Sequence, residues 1–330
     1  MKSSRAIAHP NFALIKYWGK SNIVSNIPAM DSLAITLNTM RSETRVSFPD
    51  YLKQDTWILN GMEQNSLGQI KAPCDYLKKI SLTDQPILIE STNNFPTAAG
   101  LASSASGVAS LVTALDDALE TKLSNQQKVE AAILGSGSAA RSLFSGFVHL
   151  EVINDNLKCA TLLEADEWPL KVIVCVTSTN EKKISSRQGM EISKTTSPNY
   201  EDWVNNHHED IKLAIQAIEA RDFYQLGKIT EHNCLKMHKV MKTSNPSIDY
   251  WNTATHVCVK NVKNMQKKGF PIFFTIDAGP QVKIICEPDV AKDVKLFMEN
   301  LPGIHSIIES SLGKGARTNY EKRNQVFNPR

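Results

Sequence analysis

The sequence predicts a two-domain α+β fold, on three observations. The first 180 residues are rich in short β-prone runs, long amphipathic helical patterns dominate from Asn199 onward, and 330 residues suffice for two domains or one large one. The division is expected near residue 180, giving an N-terminal domain over 1–180 and a C-terminal domain over 181–330.

In the first half, residues 43–48 alternate polar and apolar side chains, the period of a half-buried strand. Residues 56–59 form a β-prone run closed by Asn60-Gly61, a strong hairpin signal. Residues 87–90 predict another strand, leading into a loop over 91–102. From Ser103 to about Lys122 the pattern turns helical: Val108, Leu111, Val112, Leu115 and Leu119 recur at steps of three and four, one face of a helix. A second helix is expected over 125–134, stopped by Gly135, and strands near 147–152 and 171–176. Helices are then expected over 200–220, 223–240 and 248–268. Three β-prone segments (270–276, 282–286 and 304–309) and a helix over 290–300 complete the chain. Internal repeats and low-complexity linkers are absent from it.

Composition narrows the function. A hydrophobic content of 42% and a charged content of 22% are ordinary for a soluble globular protein. A formal net charge of +3 is too small to point to nucleic acid, whose binders carry a concentrated basic face. Small anionic ligands need only a few placed cations. Six scattered cysteines without a Cys-x-x-Cys pair suggest neither a zinc site nor a disulfide framework, and free thiols fit a reducing cytosol. Residues 1–20 contain His9, Pro10, Asn11 and Lys16 where a signal peptide needs an unbroken apolar stretch, and no run approaches the ~20 apolar residues of a membrane span. The expectation is a cytoplasmic protein without a membrane partner.

Four stretches carry candidate chemistry. In the first, Asn93-Asn94-Phe95-Pro96-Thr97-Ala98-Ala99-Gly100-Leu101-Ala102-Ser103-Ser104-Ala105-Ser106, small residues run directly into the 103–122 helix. The first turn of a helix presents unpaired N–H groups and the positive end of the dipole, so it stabilises an anion, and serine hydroxyls add donors for phosphate or contacts for magnesium. A Ser-capped helix after a flexible loop is the plainer reading. No Walker motif is present, and Gly313-Lys314-Gly315 lacks its context. The second stretch, Gly135-Ser136-Gly137-Ser138-Ala139-Ala140-Arg141-Ser142, is again small and hydroxyl-rich but carries an arginine, whose planar fork suits carboxylate or phosphate. A helix C-cap with a solvated arginine explains it equally well. The third, Ala8-His9-Pro10-Asn11-Phe12-Ala13-Leu14-Ile15-Lys16-Tyr17-Trp18-Gly19-Lys20, spaces two lysines four apart around Tyr17 and Trp18, a pattern that solvated lysines around buried aromatics explain equally well. The fourth, Thr275-Ile276-Asp277-Ala278-Gly279-Pro280, is either a turn or a carboxylate delivered to the mouth of a sheet.

Taken together and in this order, these stretches, with Ser185-Ser186-Arg187, resemble diphosphomevalonate decarboxylases of the GHMP kinase superfamily, which includes galactokinase, homoserine kinase and mevalonate kinase. The resemblance runs from Asn11 to Asp277. Its narrowest marks are Ile15 to Lys20 and the Asp277-Ala278-Gly279-Pro280 turn; the serine loop alone indicates only the superfamily. It implies a two-domain α+β fold of GHMP-kinase type, usually dimeric, with the active site in the cleft between the domains. It also implies ATP with magnesium, and ATP-dependent decarboxylation of (R)-5-diphosphomevalonate to isopentenyl diphosphate.

The implied roles follow the motifs. Asp277 resembles the base for the C3 hydroxyl, Arg141 the clamp on the substrate carboxylate, Asn11 the group that positions it, and Lys16 a further catalytic position in the same motif. Asn93, Ala98, Ala99, Gly100, Leu101, Ala102, Ser103 and Ser104 match the ATP phosphate loop, with Ser104 a possible magnesium contact. Tyr17, Lys20, Ser136, Gly137, Ser138, Arg141, Ser186 and Arg187 match positions around the substrate. Such residue types are needed because two polyanions must be held side by side while one carboxylate acts as base. Two positions depart from the usual pattern. Asp31-Ser32-Leu33-Ala34 stands where Asn or Ser is followed by Ser-Leu-Ser, and Pro10 where Thr or Val is common. A negative charge at Asp31, if near a bound diphosphate, disfavours it. The competing readings are a decarboxylase of the monophosphate, a kinase that does not decarboxylate, and a catalytically silent ATP-binding protein. Retention of Asp277, both lysines and the serine loop argues against the last two.

Overall fold

The computed structural model describes residues 3–22, 25–96, 100–180 and 182–318. They form a six-stranded sheet, two four-stranded sheets and a two-stranded ribbon, with helices packed against the larger sheets. In spatial order the six-stranded sheet runs Arg317–Thr318, Ser3–Ala8, Ser42–Ser47, Leu88–Asn93, Thr56–Leu59 and Met62–Glu63. Asn60 and Gly61, both at positive φ, make the expected hairpin between Thr56–Leu59 and Met62–Glu63.

Helix Ser103–Leu119 lies across this sheet. Its apolar side joins Val46, Ile89, Cys74 and Leu77 in one core cluster. Hydroxyl pairs add direction to that packing: Ser42 bonds Ser106 at 2.6 Å and Thr44 bonds Ser110 at 2.8 Å. Buried hydroxyls without partners are costly, so these pairs fix where along the sheet the helix sits. The helix stops where Glu120 turns left-handed, a little short of the expected Lys122.

A four-stranded sheet of Asn156–Leu163, Phe147–Ile153, Ser32–Thr36 and Asn11–Ile15 carries the first functional segment at its edge. All five residues of Asn11–Ile15 and all five of Ser32–Thr36 are buried. Burial on both faces removes the period-two signal, which is why the sequence pattern does not reveal these strands. The second four-stranded sheet, Ile272–Thr275, Val282–Cys286, Lys171–Val176 and Ser306–Ser311, delivers Asp277 just beyond its edge strand.

The helices differ from expectation in three respects. The 200–220 pattern divides at Asn206 into Tyr200–Asn205 and His207–Glu219. The 248–268 helix begins only at Thr253, where Asn252 and Thr255 form a capping box. Helices Lys71–Ser81 and Ser186–Thr196 were not foreseen. The halves are welded by a common core in which Phe12, Leu14, Leu33 and Phe147 pack with Val172, Val174, Phe273 and Ile285. All six cysteines are buried and unpaired. Among the described residues no helix is long and apolar enough to cross a membrane.

Candidate active site

Between the sheets lies a cleft of about 550 Å³. It gathers Asn11, Lys16, Tyr17, Lys20, Gly100, Ala102, Ser103, Ser104, Ser136, Gly137, Ser138, Arg141, Ser186, Arg187 and Asp277, from segments far apart in the chain. Two of the remaining candidates sit elsewhere. Leu101 turns into the core and is 1% exposed, and Asn93 lines a small neighbouring pocket behind the serine loop while accepting from Ser42. Neither side chain lines the cleft itself, although the pocket that Asn93 lines is shared with Ser103 and Ser104. Ala98 and Ala99, also expected in the phosphate loop, lie outside the described residues.

Asp277 follows strand Ile272–Thr275 and begins a tight turn, closed by Gly279 N–H donating to the Asp277 carbonyl at 2.7 Å. One carboxylate oxygen accepts from Lys16 Nζ at 2.6 Å, and the other lies 3.2 Å from Lys283 Nζ. About a quarter of the side chain (26%) stays open to the cleft. Burial pushes the carboxyl pKa upward, but the paired charges of Lys16 and Lys283 and their hydrogen bonds overcome it, holding Asp277 well below the ordinary carboxylate range. It is therefore ionised throughout the neutral range. Lys16, 2% exposed, is anchored at its backbone by Asn233 Oδ1 and at its ammonium by the Ala13 carbonyl.

Arg141 lies in the short helical turn Ala139–Leu143, 3% exposed. Its Nε donates to Asn11 Oδ1 at 2.9 Å and one terminal nitrogen donates to Ser32 Oγ. Asn11 is itself held, its amide donating to the Ser138 carbonyl at 3.0 Å and to Ser142 Oγ at 2.8 Å. A buried guanidinium whose hydrogen-bond partners are neutral oxygens keeps charge available for an anionic ligand. Burial lowers its pKa from the ordinary value.

The hydroxyl loops face one another across the cleft. Ser104 Oγ lies 3.4 Å from Ser136 Oγ, which lies 3.3 Å from Ser138 Oγ. Helix Ser103–Leu119 starts from Ala102, left-handed and without a side-chain cap, so its positive end opens into the cleft. A second helix start arrives from the other half. Ser186–Thr196, capped by Ser185, puts Ser186 and Arg187 in its first turn. Arg187 and Lys20 share Asn26 Oδ1 as acceptor. Burial, and then Arg187, lower the Lys20 ammonium to about 8. Gly137 has a steric reason: a Cβ there would meet Tyr17 Oη at 2.4 Å.

Asp31 does not face this cleft. Its carboxylate accepts from Val152 N–H at 2.8 Å and pairs with His149 at 3.2 Å, lining a separate pocket. The charge expected to disfavour a diphosphate is thus engaged elsewhere, while the adjacent Ser32 turns inward to Arg141. His207 and His238 are buried and bonded to the carbonyls of Asp31 and Ile276; burial above all lowers them to about 4 and about 3. His208 is exposed.

Several cleft residues escaped the sequence reading. Asn26 and Lys182 line it, Lys182 donating to Ser186 Oγ at 2.9 Å. Lys283 lies beneath it, fully buried. A visible signal existed for Lys283: one lysine inside the apolar run of Val282–Cys286, immediately after the Asp-Ala-Gly-Pro turn.

A helix start on a small-residue loop, set against a lysine-clasped carboxylate in a cleft between two α+β halves, defines an enzyme of the GHMP kinase class. Residues 8–161 match the family described as the diphosphomevalonate decarboxylase-like N-terminal domain, and residues 172–328 match the mevalonate 5-diphosphate decarboxylase C-terminal domain. The diphosphomevalonate decarboxylase of Candida albicans is 30% identical, the match covering 97% of this chain and 99% of the relative. The crystal structure of mevalonate diphosphate decarboxylase from Staphylococcus aureus is 36% identical with a TM-score of 0.89, covering 96% of this chain and 98% of that one. A structure of MDDEF in complex with MVAPP, AMPPCP and magnesium is 35% identical over the same shares, also with a TM-score of 0.89. The chain belongs to the diphosphomevalonate decarboxylase family. Its reaction is the ATP-dependent decarboxylation of mevalonate diphosphate to isopentenyl diphosphate, with ADP, phosphate and CO2 as the other products.

Proposed function

We propose that the cleft divides this reaction among its residues as follows. The substrate carboxylate rests on Arg141, which Asn11 holds in place. The diphosphate lies toward Tyr17, Lys20, Ser136, Gly137, Ser138, Ser186 and Arg187, at the start of helix Ser186–Thr196. The ATP phosphates lie along the loop that ends in Ser103 and Ser104. Asp277, oriented by Lys16, accepts the C3 hydroxyl proton as that oxygen attacks the γ-phosphorus and ADP departs. Phosphate then leaves C3 and the electrons of the breaking C–CO2 bond form the alkene. The observation that carries this reading is one cleft holding an ionised carboxylate, a buried arginine and two helix starts, enough positive potential for two polyanions with a single carboxylate among the described residues that line it.

Magnesium fits the donor set, because the Ser104 hydroxyl and nucleotide phosphate oxygens are hard ligands of the kind it prefers; Ser104 would hold it, and it neutralises phosphate charge. The MDDEF complex brings magnesium together with MVAPP and AMPPCP, which supports this choice. Division into domains at 1–180 and 181–330 rests on the change from strand-rich to helix-rich sequence, and a homodimer on the family resemblance; six buried free thiols agree with cytoplasmic residence in a reducing compartment.

Three expectations test the assignments. Ser104→Ala removes one hydrogen bond to a charged phosphate, worth about 1.5–3 kcal/mol, so kcat/KM for ATP should fall about tenfold to a hundredfold with the fold intact. Unchanged steady-state kinetics in ATP would place Ser104 outside the site. Arg187→Ala should raise KM for mevalonate diphosphate far more than for the monophosphate, and equal effects on both would deny Arg187 the terminal phosphate. Lys20 predicts a pH dependence. With its ammonium at about 8 in the free protein, an anionic ligand must raise that value, so binding takes up a proton above this pH. Dissociation constants for the diphosphate, measured by calorimetry, should be flat below about pH 8 and then rise by up to about tenfold per pH unit. The substrate phosphates, with second pKa values near ~6, no longer titrate there. Constant affinity from about pH 7.5 to about 9.5 contradicts the Lys20 assignment.

A further inference from the structure

We infer that Lys283 is a positioning residue which couples the catalytic carboxylate to the ATP loop, its one ammonium group joining Asp277 to the Gly100 carbonyl. The inference rests on the reading of Asp277 as base. Lys283 sits in strand Val282–Cys286, paired across the sheet with Thr275, two residues before Asp277. That register brings its fully buried side chain under the turn. Its Nζ is 3.2 Å from one Asp277 oxygen and donates to Gly100 O at 3.1 Å. It also lies 4.8 Å from the centre of the Phe12 ring, a contact from the other half of the molecule. Lys16 takes the other Asp277 oxygen. Two lysines on two oxygens fix the plane of the carboxylate, whereas Lys16 alone leaves it free to rotate.

The loop end of the link is equally constrained. Gly100 has φ +80°, and a Cβ there would lie 3.2 Å from Gly279 Cα, so the loop backbone abuts the Asp277 turn. A buried ammonium has three donors to place, and here a carboxylate of one half and a carbonyl of the other take two of them. Loop and base therefore share one anchor, three residues upstream of Ser103. The charged or titratable groups facing Asp277 are Lys16 and Lys283 directly, with Arg141, Lys182 and Cys234 further off. Removing Lys283 leaves Lys16 as the only one of these in direct contact.

The test uses the intact enzyme and Lys283→Met, which keeps length and removes charge. Turnover should fall about tenfold to a hundredfold, KM for ATP should rise at least about fivefold, and KM for mevalonate diphosphate should stay within about twofold, because its contacts lie elsewhere. With one of its two counter-charges gone, the Asp277 carboxyl should rise toward the ordinary carboxylate range, so an acid limb of log kcat should appear at higher pH than any seen in wild type. Substrate phosphate titration is common to both enzymes and cancels in the comparison. Lys283→Ala, measured with and without ethylammonium, separates charge from packing: partial restoration by the amine supports the coupling. Wild-type turnover, ATP dependence and acid limb in Lys283→Met would overturn it. So would lost activity with an unmoved acid limb and no response to ethylammonium, which marks Lys283 as packing only. Should the Met variant fail to fold, Lys283→Gln carries the same pH comparison. Asp277→Asn keeps the two claims apart. If that variant stays active, the base assignment fails whatever Lys283 does; if it is inactive while Lys283→Met behaves as wild type, only the coupling fails.

Discussion

Asp277→Asn should lower turnover by about 10²–10⁴, the usual contribution of a general base, while ATP and mevalonate diphosphate still bind. Asparagine matches aspartate in volume and can serve the turn that Gly279 closes, so a purely structural Asp277 predicts an active variant. The clasp by Lys16 and Lys283 sharpens the test. Replacing the carboxylate by a neutral amide leaves two buried ammonium groups without their counter-charge, so the variant's thermal unfolding should be recorded beside its kinetics to separate lost chemistry from lost structure. Turnover within about threefold of wild type, a barrier change below ~1 kcal/mol, would remove Asp277 from the mechanism. Binding measured by calorimetry for each ligand should remain close to wild type, since the phosphate contacts are assigned to other residues.

Arg141→Lys should lower kcat/KM for mevalonate diphosphate by about a hundredfold. The guanidinium already donates to Asn11 and Ser32, and its planar fork leaves further N–H groups for a carboxylate in fixed directions. A lysine offers one nitrogen, which cannot satisfy both oxygens and the ligand. Losing charge-assisted hydrogen bonds of about 1.5–3 kcal/mol accounts for most of the predicted fall. ATP binding measured without substrate should not change. Near-full activity in the lysine variant would mean that a point charge is enough and that Arg141 does not read carboxylate geometry.

Much of the site was legible because its residues announce themselves locally. The small-residue loop before Ser103, the Gly-Ser-Gly-Ser run before Arg141 and the Asp277 turn each mark a place where backbone must approach a ligand or another segment. Gly100 against Gly279 and Gly137 against Tyr17 show that steric need directly. What the sequence concealed was burial and long-range pairing. The strands Asn11–Ile15 and Ser32–Thr36 are buried on both faces, so their alternation vanished and the framework around Lys16 and Arg141 could not be drawn. Helix Ser186–Thr196 is short and mostly polar, and without it Arg187 was a motif match rather than a side chain at a helix start. Asp31 looked like an added charge beside the diphosphate because its partners, His149 and Val152, lie more than a hundred residues away. Lys283 was missed for the opposite reason. Inside an apolar strand a single lysine reads as an exception, until the antiparallel register places it beneath Asp277.

Product stoichiometry decides between a decarboxylase and a kinase in a single experiment. Purified protein incubated with ATP, magnesium and carboxyl-labelled mevalonate diphosphate should release ADP, phosphate and CO2 in equal amounts, with isopentenyl diphosphate as the organic product. ADP formed without CO2, leaving a phosphorylated substrate behind, would make the cleft that of a kinase and contradict the roles assigned to Asp277 and Arg141.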